Sequence, residues 1–293
     1  MIICFQGGLE AQNLLHSNPL EYNPGFAGAK KYDRISFHAN QIEANSRNNS
    51  FTYDRLVKPL KGGIGVFAKR KDIKNVNKIS VNVREEQRHD LTKMGLVYTP
   101  KIILKSKFLI SPSVSLSYNY YRTEITQSIK EIRPIVVQVN QFGFLNVKFG
   151  VLINSKKGHF GYTINNQLTV KENFYHSVMA GYVYSLDKKA NILVDGRFNY
   201  GDRLDNYWRN YNSQVNVAYQ YGTLFTGFGL NDVNNMVGLM GVKLINLKIN
   251  VAYHIFEKHN MSNFEFGVQY IFDKDNKEKI NLPFRKWLLK FNR

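Results

Sequence analysis

Apolar and polar residues alternate with a period of two along almost the whole chain. Phe264, Phe266, Val268, Tyr270 and Phe272 take one parity; Glu265, Gly267, Gln269, Ile271 and Asp273 take the other. Val114, Leu116, Tyr118 and Tyr120 alternate with Ser113, Ser115, Ser117 and Asn119. The same holds for Leu145 to Ile153, Phe160 to Ile164, Ile192 to Tyr200, Val215 to Tyr221 and Ile249 to Ile255. In an extended strand, successive side chains point to opposite faces. Each run therefore predicts a strand with one aromatic or aliphatic face and one small or polar face. The runs are about nine to eleven residues long, the length of a tilted strand crossing a bilayer.

Short connectors separate many of the runs: Ser155–Gly158, Asp187–Lys189, Asn231–Asn235 and Ile245–Asn246. Longer polar segments lie at 84–91, 122–134 and 201–208. Short turns on one rim and longer loops on the other are the pattern of outer-membrane barrels. The expectation is all-β: a transmembrane, antiparallel, up-and-down β-barrel of about fourteen strands over residues 32–272. A soluble sandwich also alternates, but its strands average about five to six residues. Hydrocarbon favours closure, because every backbone polar group in it needs a partner within the sheet.

Composition sharpens this reading. Aromatic residues reach 14%, with 18 Tyr and 20 Phe; they suit strands and the interfaces of membrane barrels. The 40 Lys and Arg against 22 Asp and Glu give a formal charge of +18. On a soluble protein that charge suggests a nucleic-acid surface; on a membrane barrel it belongs to loops, lumen and lipid head groups. Charge alone does not choose. The single cysteine, Cys4, leaves no internal disulfide and no cysteine metal site. No apolar run is long enough for a transmembrane helix. Residues 1–11 read as the remnant of a signal peptide, since Leu9-Glu10-Ala11 before Gln12 resembles a cleavage site; an ordinary disordered N-terminus is the alternative. Residues 273–293 form a basic C-terminal tail on the periplasmic side, either a short amphipathic helix or a frayed end.

Signatures of catalysis are missing. There is no phosphate loop, no His-Glu-x-x-His and no nucleophile elbow, and the seven His are scattered. No cofactor is expected. Gly62-Gly63-Ile64-Gly65 lies in an alternating run and reads as close strand packing. Glu85-Glu86 reads as a charge pair in a loop. The polar parity carries Arg84, Lys148, Asp195, Arg197, His254 and Glu265, a candidate lumen set that is either ordinary lining or a network of ion pairs filling the pore.

The stretch Gln12 to Gly28 contains Asn18-Pro19 and then Asn23-Pro24-Gly25-Phe26-Ala27-Gly28. This resembles the opening of the PorP/SprF family of the Bacteroidetes type IX secretion and gliding machinery. Asn-Pro pairs favour turns and extended backbone. The expected role of segment 12–31, with Asn18, Pro19, Asn23, Pro24, Gly25 and Gly28 as its motif residues, is to fold against the periplasmic mouth or into the lumen and to meet a partner. The glycines at 62–65, the run Lys101 to Tyr120, Phe225 to Gly229 and the closing Phe264 to Phe272 are similar to later parts of that family. His38-Ala39-Asn40-Gln41-Ile42 departs from its usual Arg-Asn-Gln-Trp. The resemblance implies a non-enzymatic outer-membrane barrel that binds, and helps export or anchor, a large surface adhesin through its C-terminal sorting domain. For some members it also implies a peptidoglycan-binding periplasmic protein and secretion-motor lipoproteins as partners. A transport barrel for a small solute is the alternative. Outer-membrane lipid is an expected contact; nucleic acid is not.

Overall fold

The alternating runs become strands whose two faces have different neighbours. A computed structural model of the chain describes residues 20, 23–29, 33–42, 46–78, 83–104, 108–129, 135–167, 174–187, 189–201, 211–231, 235–244, 246–256 and 261–272. In chain order the strands are β1 (Asp33–Ile42), β2 (Ser46–Val57), β3 (Gly62–Lys78), β4 (Val83–Pro100), β5 (Ile102–Leu104), β6 (Phe108–Ile129), β7 (Ile135–Asn154) and β8 (Gly158–Gln167). They continue as β9 (Phe174–Ser185), β10 (Ala190–Gly201), β11 (Tyr211–Tyr221), β12 (Leu224–Asn231), β13 (Asn235–Lys243), β14 (Leu247–Phe256) and β15 (Met261–Phe272). Neighbours in sequence pair antiparallel, and β15 pairs with β1 to close the ring. β4 and β5 share one register on β6, with Tyr98 opposite Val114 and Ile102 opposite Ile110. They are one stave interrupted at Lys101, so the barrel has 14 strands. Segment 273–293 lies outside the described residues.

The apolar parity faces outward. Val114, Leu116, Tyr118, Phe149, Phe160, Val194, Phe198, Tyr219, Phe228, Met240 and Tyr253 are all exposed, while Ser113, Ser115, Ser117, Asn119, Asn146, Thr163, Asp195 and Asn216 are buried inside the ring. An exposed apolar belt around a polar interior is the inverse of a water-soluble core, and it is what hydrocarbon requires.

With β4 and β5 taken as one stave, the staves run from 8 to 22 residues, a wider range than the expected nine to eleven. Both ends of the ring, Asp33 and Phe272, lie on the rim that carries the turns 58–61, 155–157 and 222–223 and the passages from β9 to β10 and from β13 to β14. These turns are tight and locally satisfied. In one, the Asp187 carboxylate accepts the backbone N–H groups of Lys189 (2.6 Å) and Ala190 (2.7 Å), which hold its carboxyl below the usual range. The connector Asn231–Asn235 lies on the opposite rim, which corrects its grouping with the other short turns.

Two further expectations are corrected on that opposite rim. Residues 84–91 and 122–129 are strand, not loop, so Glu85 and Glu86 are strand residues. Above the apolar belt β3, β4 and β6 carry charged outward pairs: Lys74–Glu86 at 2.7 Å, Arg88–Asp72 at 2.7 Å, Arg70–Asp90 at 3.7 Å and, along β6, Arg122–Glu124 at 2.8 Å. In water a polar outward parity is no obstacle to a strand, and cross-strand ion pairs support it. β3, β4, β6 and β7 therefore rise past the lipid band, while β8 to β15 stop lower.

A charge placed in the belt tests this division. Leu116→Arg, near the middle of the band, should lower folding stability by about 2–4 kcal/mol. Glu124→Leu, on the charged ladder above it, should change stability by less than about 1 kcal/mol. Urea titrations of folding into lipid vesicles measure both.

Candidate functional site

The inside of the ring is occupied by the chain's own start. Asn23 caps a single 3-10 turn, Pro24–Phe26: its side chain accepts the Gly25 N–H at 2.8 Å, and Pro24 takes the first helical position, where no N–H is needed. Asn23 through Ala29 are all buried. Their contacts fan out to inward-facing groups on many staves. The Asn23 amide donates to the Val151 carbonyl on β7 (3.2 Å). The Thr99 hydroxyl on β4 donates to the Pro24 carbonyl (2.8 Å), and Lys101 Nζ donates to the Gly25 carbonyl (2.9 Å) and reaches Ser111 Oγ on β6 (3.2 Å). The Phe26 ring meets the edge of His159 on β8, with centroids 6.0 Å apart. Leu20, Phe26 and Ala27 pack with Val97, Leu152 and Met179 into the apolar cluster inside the ring.

One ion pair ties this segment to the wall. Arg34 on β1 and Asp54 on β2 face each other in register, with Nε 2.7 Å from Oδ2 and both side chains about 1% exposed. The other carboxylate oxygen of Asp54 accepts the Gly28 N–H (2.8 Å), and Arg34 Nη2 donates to the Phe26 carbonyl (3.2 Å). Two buried charges neutralise each other and use their remaining hydrogen-bonding positions on the backbone of the segment. Gly28 adopts φ 57°, which glycine tolerates without strain. It lies against Gly63 on β3, where an added Cβ would collide with the Ala27 carbonyl. The glycine-rich start of β3 therefore makes room for this segment, a closer reason than strand packing alone.

Asn23, Pro24, Gly25 and Gly28 are thus brought together; Asn18 and Pro19 lie outside the described residues. The candidate lumen set is not one cluster. Asp195 is buried and its carboxylate lies 3.5 Å from His159 Nε2. Glu265 works at the closing seam, accepting Asn40 Nδ2 at 2.7 Å and lying 3.4 Å from His38 Nε2. The stretch His38 to Ile42 therefore serves the β1–β15 junction, where Gln269 also donates to Ser36 (3.2 Å). Lys148 lines a cleft above the N-terminal segment with Leu20, Phe67, Lys69, Lys93 and Ser115. Arg197 faces inward on β10, beside Asp195 and Asn199 in the same parity. His254 falls on the parity of Lys248 and Ala252; its side chain lies outside the described residues. Arg84 is not placed in the lumen set either way. It lies near the start of β4, and its side chain is likewise outside the described residues.

The residues that hold the segment, Arg34, Asp54, Thr99 and Lys101, are not in the candidate set. Their one sequence signal is position: opposite charges on the small-and-polar parity of the first two strands. Among the described residues no group of His, Cys, Asp and Glu has the makings of a metal site.

The sequence profile of the family described as type IX secretion system membrane protein PorP/SprF matches residues 5–270. The chain belongs to the PorP/SprF family. That membership, with the barrel, makes it an outer-membrane protein of type IX secretion. No protein of curated function matches it. Among solved structures, the PorP/SprF barrel is similar to the toluene transporter TbuX of Ralstonia pickettii, with a TM-score of 0.56 and 7% identity over 89% of this chain and 95% of that one. It is also similar to a deletion mutant of the monoaromatic hydrocarbon channel TodX, with a TM-score of 0.52 and 10% identity over 86% and 93% of the two chains. At such identities the likeness is one of fold.

Removing one partner of the buried pair isolates the other. Asp54→Ala should cost about 3–5 kcal/mol, whereas the double change Arg34→Met with Asp54→Leu should cost far less; chemical denaturation in detergent checks both. Gly63→Val should displace Asn23–Ala29 while the barrel still closes. Limited proteolysis would then cut near the N-terminus of a protein that keeps the heat-dependent gel shift of a folded barrel.

Proposed function

We propose that this chain is a non-enzymatic docking barrel that binds a large secreted surface adhesin through the adhesin's C-terminal sorting domain and helps to export or anchor it. The observation that carries this reading is the occupied lumen. A buried segment, pinned to β1, β2, β4 and β7, stands at the turn-bearing rim where a solute path would open. A filled barrel suits a scaffold, and membership in a secretion family gives the scaffold a polypeptide to serve. In this reading residues 1–11 are the remnant of a signal peptide, 12–31 form the lumenal segment, and 32–272 span the membrane. The basic tail, 273–293, is placed in the periplasm, the side proposed for a peptidoglycan-binding protein and the motor lipoproteins.

Solute transport is the competing reading, and two measurements separate them. Affinity-tagged protein, solubilised from the outer membrane of its own cells, should retain an adhesin fragment that ends in the sorting domain. In planar bilayers the wild-type barrel should give no steady conductance, while Gly63→Val should open a channel. A steadily conducting wild-type barrel with no adhesin attached would overturn the docking reading in favour of transport.

A further inference from the structure

β7 has two halves with different surroundings. Its lower half, Asn146–Asn154, pairs with β6 on one side and β8 on the other. Among the described residues its upper half pairs with β6 alone, the last partner on β8 being Gln167, opposite Asn146. Every residue from Ile135 to Gly143 is exposed on both faces. A register shift on the β6 side passes over Val137, and pairing resumes with Val136 opposite Thr126; the bulge interrupts the regular ladder there. What remains is an unpaired edge, Gln138-Val139-Asn140-Gln141-Phe142-Gly143-Phe144-Leu145, about 26 Å long at about 3.3 Å per residue.

Three features set this edge apart. It carries no charge: the chain has none from Ile135 to Val147, although its net charge is +18. Natural sheets usually protect such an edge with Lys, Pro or inward-pointing charge. It also stands above the lipid. Val139 is opposite Glu124 and Gln141 opposite Arg122, both on the charged outward ladder. Finally, its lumen-side face bears an aromatic shelf. The Tyr121 ring stacks on Phe142 and Phe144 with centroids 5.2 and 5.5 Å away and planes within 13° of its own, and Phe142 is 58% exposed.

We propose that the edge Gln138–Leu145 is an extracellular strand-addition site that takes an uncharged, extended segment of the exported polypeptide. This rests on the docking reading above and places the grip on the outer face of the membrane. Backbone groups of the edge supply affinity, and the shelf takes an apolar side chain from every second residue of the guest. Lipid is not the occupant, because the flanking outward positions are charged. A second copy in the same membrane does not fit either. Its β7 would stand directly above β8, and the lower half of that strand would then have to descend through the space β8 fills. The chain's own connector between β8 and β9, residues 168–173, is six residues long and must also return to β9, so it is too short to run beside the full edge.

The test uses the full-length barrel in detergent and, as probe, the purified sorting domain of the adhesin recovered with it. Hydrogen exchange at the alternate amides of Val139 to Leu145 that point away from β6 should be fast in the barrel alone and become protected when the domain is added. Val139→Lys with Phe142→Lys alters exposed side chains only. It should keep the heat-dependent gel shift and weaken binding at least tenfold. Unchanged binding by this variant, with no protection on β7, would overturn the strand-addition site and leave the docking reading intact. Absence of binding by the wild type would remove both. Protection of these amides without the domain would also overturn the proposal: at doubled mass it assigns the edge to a second copy, and at single mass to the chain's own loops.

Discussion

A backbone amide facing hydrocarbon has no water to turn to, so its partner must come from the sheet. From that constraint follows the pairing of β1 with β15, the one junction that joins residues more than two hundred positions apart. All other staves pair with near neighbours in sequence. The seam shows how such a junction is registered. Glu265 bonds Asn40, and Gln269 bonds Ser36, both on the lumen side, while Phe37 and Val268 meet on the lipid side. A one-residue slip would put carboxylate and amide into lipid and aromatic rings into the interior.

Closure creates an interior, and the interior creates its own demand. Arg34 and Asp54 are placed inside by parity, where neither is stable alone. Their pairing neutralises charge but leaves hydrogen-bonding positions to fill. The backbone of Gly28 and Phe26 fills them. The segment and the ion pair therefore depend on each other: the pair gives the segment its seat, and the segment completes the solvation of the pair. Glycines at 28 and 63 let the two backbones approach closely enough for this to work.

The barrel itself was legible because its signal is repeated along the chain. Period-two alternation with an aromatic parity appears in run after run, and the strand number followed from counting runs. The polar stretches 84–91 and 122–129 were misread because polarity was taken to mean loop. Above the lipid the outward face is wet, so Arg88, Asp90, Arg122 and Glu124 are as acceptable there as Leu and Tyr are below. The ion pair beneath the segment was illegible for a different reason. Arg34 and Asp54 lie 20 residues apart on consecutive strands, and no spacing rule announces which inward charges will meet; only the register set by the β1–β2 hairpin does. The Asn-Pro-Gly-Phe-Ala-Gly block was conspicuous in the sequence, but its partners on β4, β6 and β7 come from the closed ring and not from its neighbours in the chain.

The staves are unequal, and the inequality has a direction. β3, β4, β6 and β7 are the tall ones, and the same arc of wall seats the N-terminal segment through Gly63, Thr99, Ser111 and Val151 with Leu152. β7 belongs to both ends. Its upper edge is bare toward the outside, and its lower end carries the carbonyl that receives Asn23. Between them lie Asn146 and Lys148, facing the interior. An antiparallel ladder is stiff along its strands, because successive residues are held alternately by the strand on one side and the strand on the other, at fixed spacing. Below Asn146 β7 is held in this way by β6 and β8; above it, among the described residues, β6 alone holds it. A guest strand on the upper edge would extend the two-sided support to most of the stave, so an event at the cell surface and the seat of the lumenal segment share one continuous structural element.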